Sequence, residues 1–81
     1  MLEKLKAANK IVGIKQLRKA LLASHVETVF LADDADPGLT EPLLALCRAQ
    51  RVRIVSVPTK RELGQACGIE VGAAAAGILK Q

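Results

Sequence analysis

Apolar positions along this chain fall into short blocks, and their spacing changes from one block to the next. From Leu2 to Ala8 they are spaced for a short amphipathic helix, and Ile11-Val12 reads as a brief extended piece. Gly13 precedes a clearer helix, predicted over Lys15 to Ala23, with Leu17, Leu21 and Leu22 on one side and Lys15, Arg18 and Lys19 on another. Ser24-His25 closes it. Thr28-Val29-Phe30-Leu31-Ala32 is a continuous apolar run with β-branched and aromatic residues, the pattern of a strand buried on both faces. Asp33 to Gly38 is a loop, and Thr40, as N-cap ahead of Leu43-Leu44, predicts a helix to about Gln50. Val52 to Val57 is the next strand. Thr59 caps a short helix from Lys60 to Ala66, with Gly68 as the glycine just past its end. In the last block, Val71 to Leu79, alanine favours helix. Gly72, Gly77 and the need for a sheet partner outweigh that preference and predict a strand between closely packed helices.

Strands alternating with helices specify an α/β class. The expected architecture is a three-layer α-β-α sandwich around a small mixed four-stranded sheet, with residues 1–81 as a single domain. No linker, repeat or low-complexity segment interrupts it. A domain of 81 residues buries only a little over ~60% of its unfolded surface, so its core margin is thin. An apolar fraction of 51% offsets that and is too high for disorder.

No apolar run approaches the ~20 residues of a membrane span, and Met1 to Lys6 mixes charges too early for a secretory signal. The expected location is the cytosol. Cys47 and Cys67 have neither CxxC spacing nor histidine partners, so they read as buried, reduced thiols. Charge is segregated: residues 1–19 hold six Lys or Arg against one acid, residues 20–47 five acids and no Lys or Arg, and residues 48–81 six Lys or Arg against two acids. Two basic ends can form one positive face if the fold brings them together, and such a face attracts phosphate backbones. Phe30 is the only aromatic residue. Modules that read single strands stack bases on exposed aromatics, so any RNA reading here must rest on shape, backbone and a few base edges.

The candidates for chemistry are few. Asp33, Asp34 and Asp36 follow a buried strand, where open α/β sheets often place ligands. There is no nucleophile or glycine-rich phosphate loop beside them, and turn and cap roles account for most of these acids. His25, the sole histidine, falls at a helix end and reads as structural or solvent-exposed. We therefore expect no catalytic residue, no metal site and no cofactor. Gly13-Ile14-Lys15-Gln16 with Arg18 and Lys19 is different: a glycine entering a helix permits close backbone approach, and helix N-terminal amides favour phosphate. Ile69-Glu70-Val71, lying between Gly68 and Gly72, is either core or a hydrophobic tip for exposed bases.

Together, three motifs in order resemble one family. Ile11-x-Gly13-x-Lys15-Gln16-x-x-Lys19, then Ala32-x-Asp34-Ala35-Asp36-Pro37, then Leu63-Gly64-x-Ala66-Cys67-Gly68-Ile69-Glu70-Val71 look like the kink-turn-binding ribosomal-protein family of the L7Ae type, closest to its short bacterial YbxF-like branch. The resemblance runs from about Lys4 to Leu79. It implies an α-β-α sandwich that binds sharply bent RNA with tandem sheared G·A pairs beside a bulge. It casts Lys15, Gln16 and Lys19 as contacts to guanine edges and phosphates, with Gly13 and Ile14 at the approach. Asp36 matches the acidic position that receives an extruded base, and Lys60 a basic residue beside that pocket. Ile69, Glu70, Val71 and Gly72 match the loop over the bulge. Lys15-Gln16 stands where archaeal and eukaryotic relatives have Asn-Glu, and a Gln carbonyl lacks the charge-assisted strength of a carboxylate.

The partner implied is structured RNA, in a ribosome-associated ribonucleoprotein, bound by a monomer away from any membrane. One alternative is a protein-interaction module on the same fold; the family's stress-sensor relatives carry acidic surfaces, unlike the basic amino-terminal segment here. Another is a small enzyme or nucleotide binder, for which GxGxxG, P-loop and nucleophile signatures are all missing.

Overall fold

The described residues of this computed structural model, Leu5 and 9–80, run in the order β1 (Lys10–Val12), α1 (Ile14–Leu22), β2 (Val26–Ala32), α2 (Pro37–Gln50), β3 (Arg53–Val57), α3 (Lys60–Cys67) and β4 (Ala75–Leu79). The strands form one sheet in the order β1-β4-β2-β3. β2 and β3 are parallel, from Thr28 opposite Arg53 to Ala32 opposite Val57. β4 is antiparallel to both its neighbours, pairing Ile78 with Lys10 and Ala76 with Phe30. The sheet is therefore mixed, and the alanine-rich segment is a central strand, as its flanking glycines predict.

Alternation along β2 sends side chains into two cores. Val29 and Leu31 pack with Leu17, Ala20 and Leu21 of α1 and with Leu43 and Cys47 of α2. Phe30 and Ala32 face the other way, with Leu63, Ala66 and Cys67 of α3 and with Leu5. The three-layer sandwich follows: α1 and α2 cover one face, α3 the other. Small residues in β4 let the layers close. A Cβ at residue 77 would lie 2.6 Å from Leu17 Cδ1, so α1 rests directly on the backbone of the central strand at Gly77.

Several expectations are corrected. Helix α2 starts at Pro37, not after Thr40: Asp36 is the cap, its Oδ1 accepting from the Gly38 N–H at 2.9 Å, and Pro37 opens the first turn with its fixed φ. Thr40 is buried inside the helix. Leu22, expected beside Leu17 and Leu21, is 61% exposed, and Ala20 fills that side instead. Strand β4 begins at Ala75 rather than near Val71. The helix expected over Leu2 to Ala8 lies outside the described residues except for Leu5, which is helical and fully buried. No helix among the described residues is long and apolar enough to cross a membrane.

The topology has one consequence for function. Strands β1, β2 and β3 all run toward the same end of the sheet, and β4 starts there. Gly13, the Asp33–Asp36 loop, the turn before Lys60 and residues 72–74 thus meet at one end, here called the top.

Candidate nucleic-acid interface

Short hydrogen bonds tie the top together. The Gly13 N–H donates to the Ala75 carbonyl at 3.1 Å, and the Ala32 N–H to the Ala74 carbonyl at 3.0 Å. The Asp33 N–H reaches the Val57 carbonyl at 2.7 Å. From the same loop, Asp34 Oδ1 accepts from the Lys60 N–H at 2.7 Å. The Lys60 carbonyl then accepts from the Ala73 N–H at 3.0 Å. Segments far apart in sequence are thereby held edge to edge: the α1 entry, the acidic loop, the α3 entry and the strip leading into β4.

Helices α1, α2 and α3 enter differently. At α2 the carboxylate of Asp36 caps the first turn, and at α3 Thr59 Oγ1 accepts from the Glu62 N–H at 3.0 Å. Helix α1 has no side-chain cap and no acid in its first turn. Its N-cap is Gly13 at φ 108° and ψ 149°, a region only glycine occupies without strain. The first amides of α1 are thus left for an outside acceptor, and the positive end of the helix dipole is uncompensated there. Lys15, Gln16, Arg18 and Lys19 are exposed around that turn, while Ile14 is half-buried against the α1–α2 core. Gln16 and Lys19 line one shallow groove with Ile11, Ala20, Ala23 and His25; Lys15 lies outside it.

Residues 69–73 run back alongside α3. Gly68, at φ 80°, turns the chain, and the Ile69 N–H closes the helix end on the Gly64 carbonyl at 3.1 Å. Gly64 packs against the Val71 backbone, and a Cβ at residue 72 would lie 3.1 Å from Lys60 Cβ. The Ile69–Val71 pair divides its roles: Ile69 packs against the α3 core, whereas Val71 is 70% exposed. Glu70 and Gly72 are exposed beside it.

Of the loop acids, Asp34 and Asp36 hold backbone amides and Asp33 is exposed. Among the described residues no three His, Cys, Asp or Glu side chains group into a metal-binding set. Cys47 and Cys67 are free and buried on opposite sides of the sheet, which keeps them apart. Burial pushes both thiols above their usual pKa, with Lys10 partly opposing it at Cys67. Three residues have placements that the sequence does not specify: Asp34, read as a turn acid, anchors Lys60; Gly64, a motif position, seats the strip; and His25, read as structural or solvent-exposed, lines the groove. An acid two residues before the Asp36 cap is a turn signal like any other, and only the fold shows what it holds.

Among the described residues, the carboxy-terminal cations divide between the two ends of the sheet. Lys60 and Arg61 join the top, where the Lys60 N–H is held by Asp34. Arg48, Arg51, Arg53 and Lys80 lie at the C-terminal end of α2, the start of β3 and just past β4, which is the opposite end of the sheet.

Comparison with known proteins matches this arrangement. The profile described as "Ribosomal protein L7Ae/L30e/S12e/Gadd45 family" matches residues 1–81. An "RNA-binding protein" of Bacillus pumilus is 45% identical over 73 residues, covering 90% of this chain and 89% of its own. "RNA-binding protein YbxF" of Geobacillus stearothermophilus is 40% identical over 79 residues, covering 96% of each. Among solved structures, the Giardia lamblia 15.5kD RNA binding protein superposes with a TM-score of 0.89 at 29% identity, covering 99% of this chain and 71% of that one.

Proposed function

The chain belongs to the ribosomal protein L7Ae/L30e/S12e/Gadd45 family, and from that membership we propose that it binds structured RNA, with a kink-turn as the feature it grips. The observation that carries this reading is the uncapped α1 entry, set among cations at an end of the sheet where an acceptor-bearing loop and an apolar tip also converge. Phosphate oxygens suit the open amides of α1 and the ammonium groups of Lys15 and Lys19. Gln16, beside Lys19 in the groove, reads a guanine edge through its carbonyl. Gly13 and Ile14 bring the backbone close.

Asp36 gives Oδ1 to the Gly38 N–H, and Oδ2 is the acceptor for a donor on an extruded base. Lys60 places a cation beside that base, and Ile69, Glu70, Val71 and Gly72 cover it. Val71 supplies the apolar contact that an aromatic side chain makes in other RNA-binding modules. No chemical step is involved: the polar groups bind and orient. The setting that fits is a cytosolic ribonucleoprotein, such as the ribosome, whose RNA contains such bends, with the protein acting as a monomer.

A titration of a kink-turn RNA against the same RNA with its G·A pairs replaced by Watson–Crick pairs tests the reading. Preference for the bent RNA by tenfold or more is the expected result. Equal affinity for both would reduce the interaction to nonspecific charge and overturn the kink-turn assignment.

A further inference from the structure

We propose, on the reading that places RNA on α1, that His25 is a further RNA contact, whose imidazolium donates to a phosphate at the far end of the α1 groove and makes RNA binding depend on pH. Gln16 and Lys19 line that groove, and His25 lines it beyond them in the chain. Gln16, Lys19 and Ala23 follow one another at helical spacing, a stripe of roughly 10 Å at about 1.5 Å per residue. The rest of the lining is Ile11, Ala20 and Ala23, and the short alanine side chains leave the way open from Gln16 to His25. No acid lines this groove.

Backbone geometry fixes where the imidazole stands. Ser24 takes the left-handed position after α1, at φ 59°. The Ser24 N–H donates to the Leu21 carbonyl and the His25 N–H to the Ala20 carbonyl, each at 3.0 Å, a paired closure common at helix ends. The His25 carbonyl in turn accepts from the Lys80 N–H at 2.7 Å. His25 is thus held from both sides while its side chain stays exposed. A residue at this point of the closure frequently packs an apolar side chain on the last helical turn. Histidine puts a polar ring there instead, in the groove with Ala20.

The groove runs from the positive end of the α1 dipole toward the negative end, where carbonyls repel phosphate. Lys19 in the last turn reverses that repulsion, and a charged His25 carries the reversal past the helix. Histidine is the side chain whose charge ordinarily changes between about pH 5 and 8. Among the described residues, the charged groups around it come from several elements. Lys19 shares the groove, whereas Lys15 and Arg18 of α1 lie outside it. Glu27, Arg51 and Lys80 line the groove that adjoins at Ser24. Lys10 goes with Val12 to the other face of the sheet, where it acts on Cys67. A phosphate seated between Lys19 and His25 favours the charged imidazole, so RNA binding takes up a proton. A group that holds its proton more tightly in the complex strengthens binding at low pH and loses that contribution as pH rises.

The test is a titration of kink-turn RNA with the full chain at several pH values between about 5.5 and 8, the range in which histidine titrates. Affinity should rise by about fivefold toward the acid end, and the salt slope should steepen by about one charge. His25→Gln should remove both changes. His25→Lys should bind at the alkaline end as the parent binds at the acid end. Protonation of the RNA itself is common to parent and variants, so the difference between their profiles reads His25. Because His25 is the only histidine, its ring protons give one NMR titration curve, which RNA should shift to higher pH. A merely structural histidine would move neither that curve nor the salt slope. Parallel pH profiles for the parent and His25→Gln, or an imidazole titration unmoved by RNA, would overturn the proposal. The same titrations on RNA rebuilt with Watson–Crick pairs separate the two readings. Equal affinity for bent and rebuilt RNA, with the dependence on His25 intact, would sink the kink-turn reading and leave this one standing.

Discussion

The carbonyl oxygen of Val71 occupies the space where a side chain at Gly64 would begin. The backbone of α3 and the strip bearing the exposed Val71 side chain are thus in direct contact, and the tip is positioned by an absent methyl group. Gly64→Ala must push the strip outward or tilt the helix. Overpacking of this kind costs about 1–3 kcal/mol, which a urea titration reads as a lower midpoint. RNA binding should fall further than stability alone explains, because Val71 leaves its place. Folded Gly64→Ala protein with unchanged RNA affinity would separate the strip from recognition.

Gly13 raises a different constraint. No atom lies within 4 Å of a Cβ built there, so space is available, but φ 108° is not open to an L-side chain. Gly13→Ala should therefore destabilise by about 1–3 kcal/mol through backbone strain alone. It should also displace the open amides of α1 and weaken RNA binding, whereas the melting of a Lys15→Ala variant should stay near the parent's. Calorimetry on both variants distinguishes backbone strain from lost charge.

How far the sequence carries depends on whether a signal is local. The β2 run is legible because Thr28 and four consecutive apolar residues form a short block rich in β-branched and aromatic side chains, and α3 because Thr59 and Gly68 bracket it with matching cap chemistry. Thr40 misleads for a local reason too: Asp36-Pro37 is the stronger start, a carboxylate cap followed by a proline suited to the first turn, but it is hidden within an acidic run. Leu22 shows that helical spacing alone does not fix the edge of a buried stripe. The convergence of Gly13, Asp36, Lys60 and Gly72 was not legible from residue patterns, because it arises from strand order. The family resemblance supplied those positions as a group, and the sheet explains why they are neighbours. The division of the carboxy-terminal cations between two ends has the same origin.

The two thiols predict a pH dependence. Burial raises the pKa of Cys47 and Cys67 above the ordinary value of 9.0. As pH rises past that value, the unfolded chain releases thiol protons that the folded chain retains. The unfolded state then binds fewer protons, so stability falls with pH until the buried groups themselves ionise. Below that range the two states hold the same thiol protons and the effect vanishes. Urea denaturation between pH 7 and 10 should show the decline, and Cys67→Ala should make it shallower. A parent and variant with equal slopes would mean that the thiols do not contribute.

Gln16 and Lys19 share a groove on α1, yet their chemistry assigns them separable roles. An ammonium group attracts any phosphate, so Lys19→Ala should weaken binding to bent and straight RNA alike and reduce the salt slope by roughly one charge. An amide carbonyl discriminates by geometry. Gln16→Ala should leave the salt slope unchanged while eroding preference for the kink-turn by about 1–3 kcal/mol, the usual worth of a good base-edge contact. Gln16→Glu sharpens the distinction, because a carboxylate accepts a charge-assisted bond from a guanine N–H. That variant should bind the kink-turn more tightly even though it adds negative charge close to phosphate, and it should lose affinity for straight RNA. The measurements are titrations against an intact kink-turn and one rebuilt with Watson–Crick pairs, each at several salt concentrations. If Gln16→Ala loses the same affinity on both RNAs, α1 does not read the bend and only its charge remains as a contribution to binding.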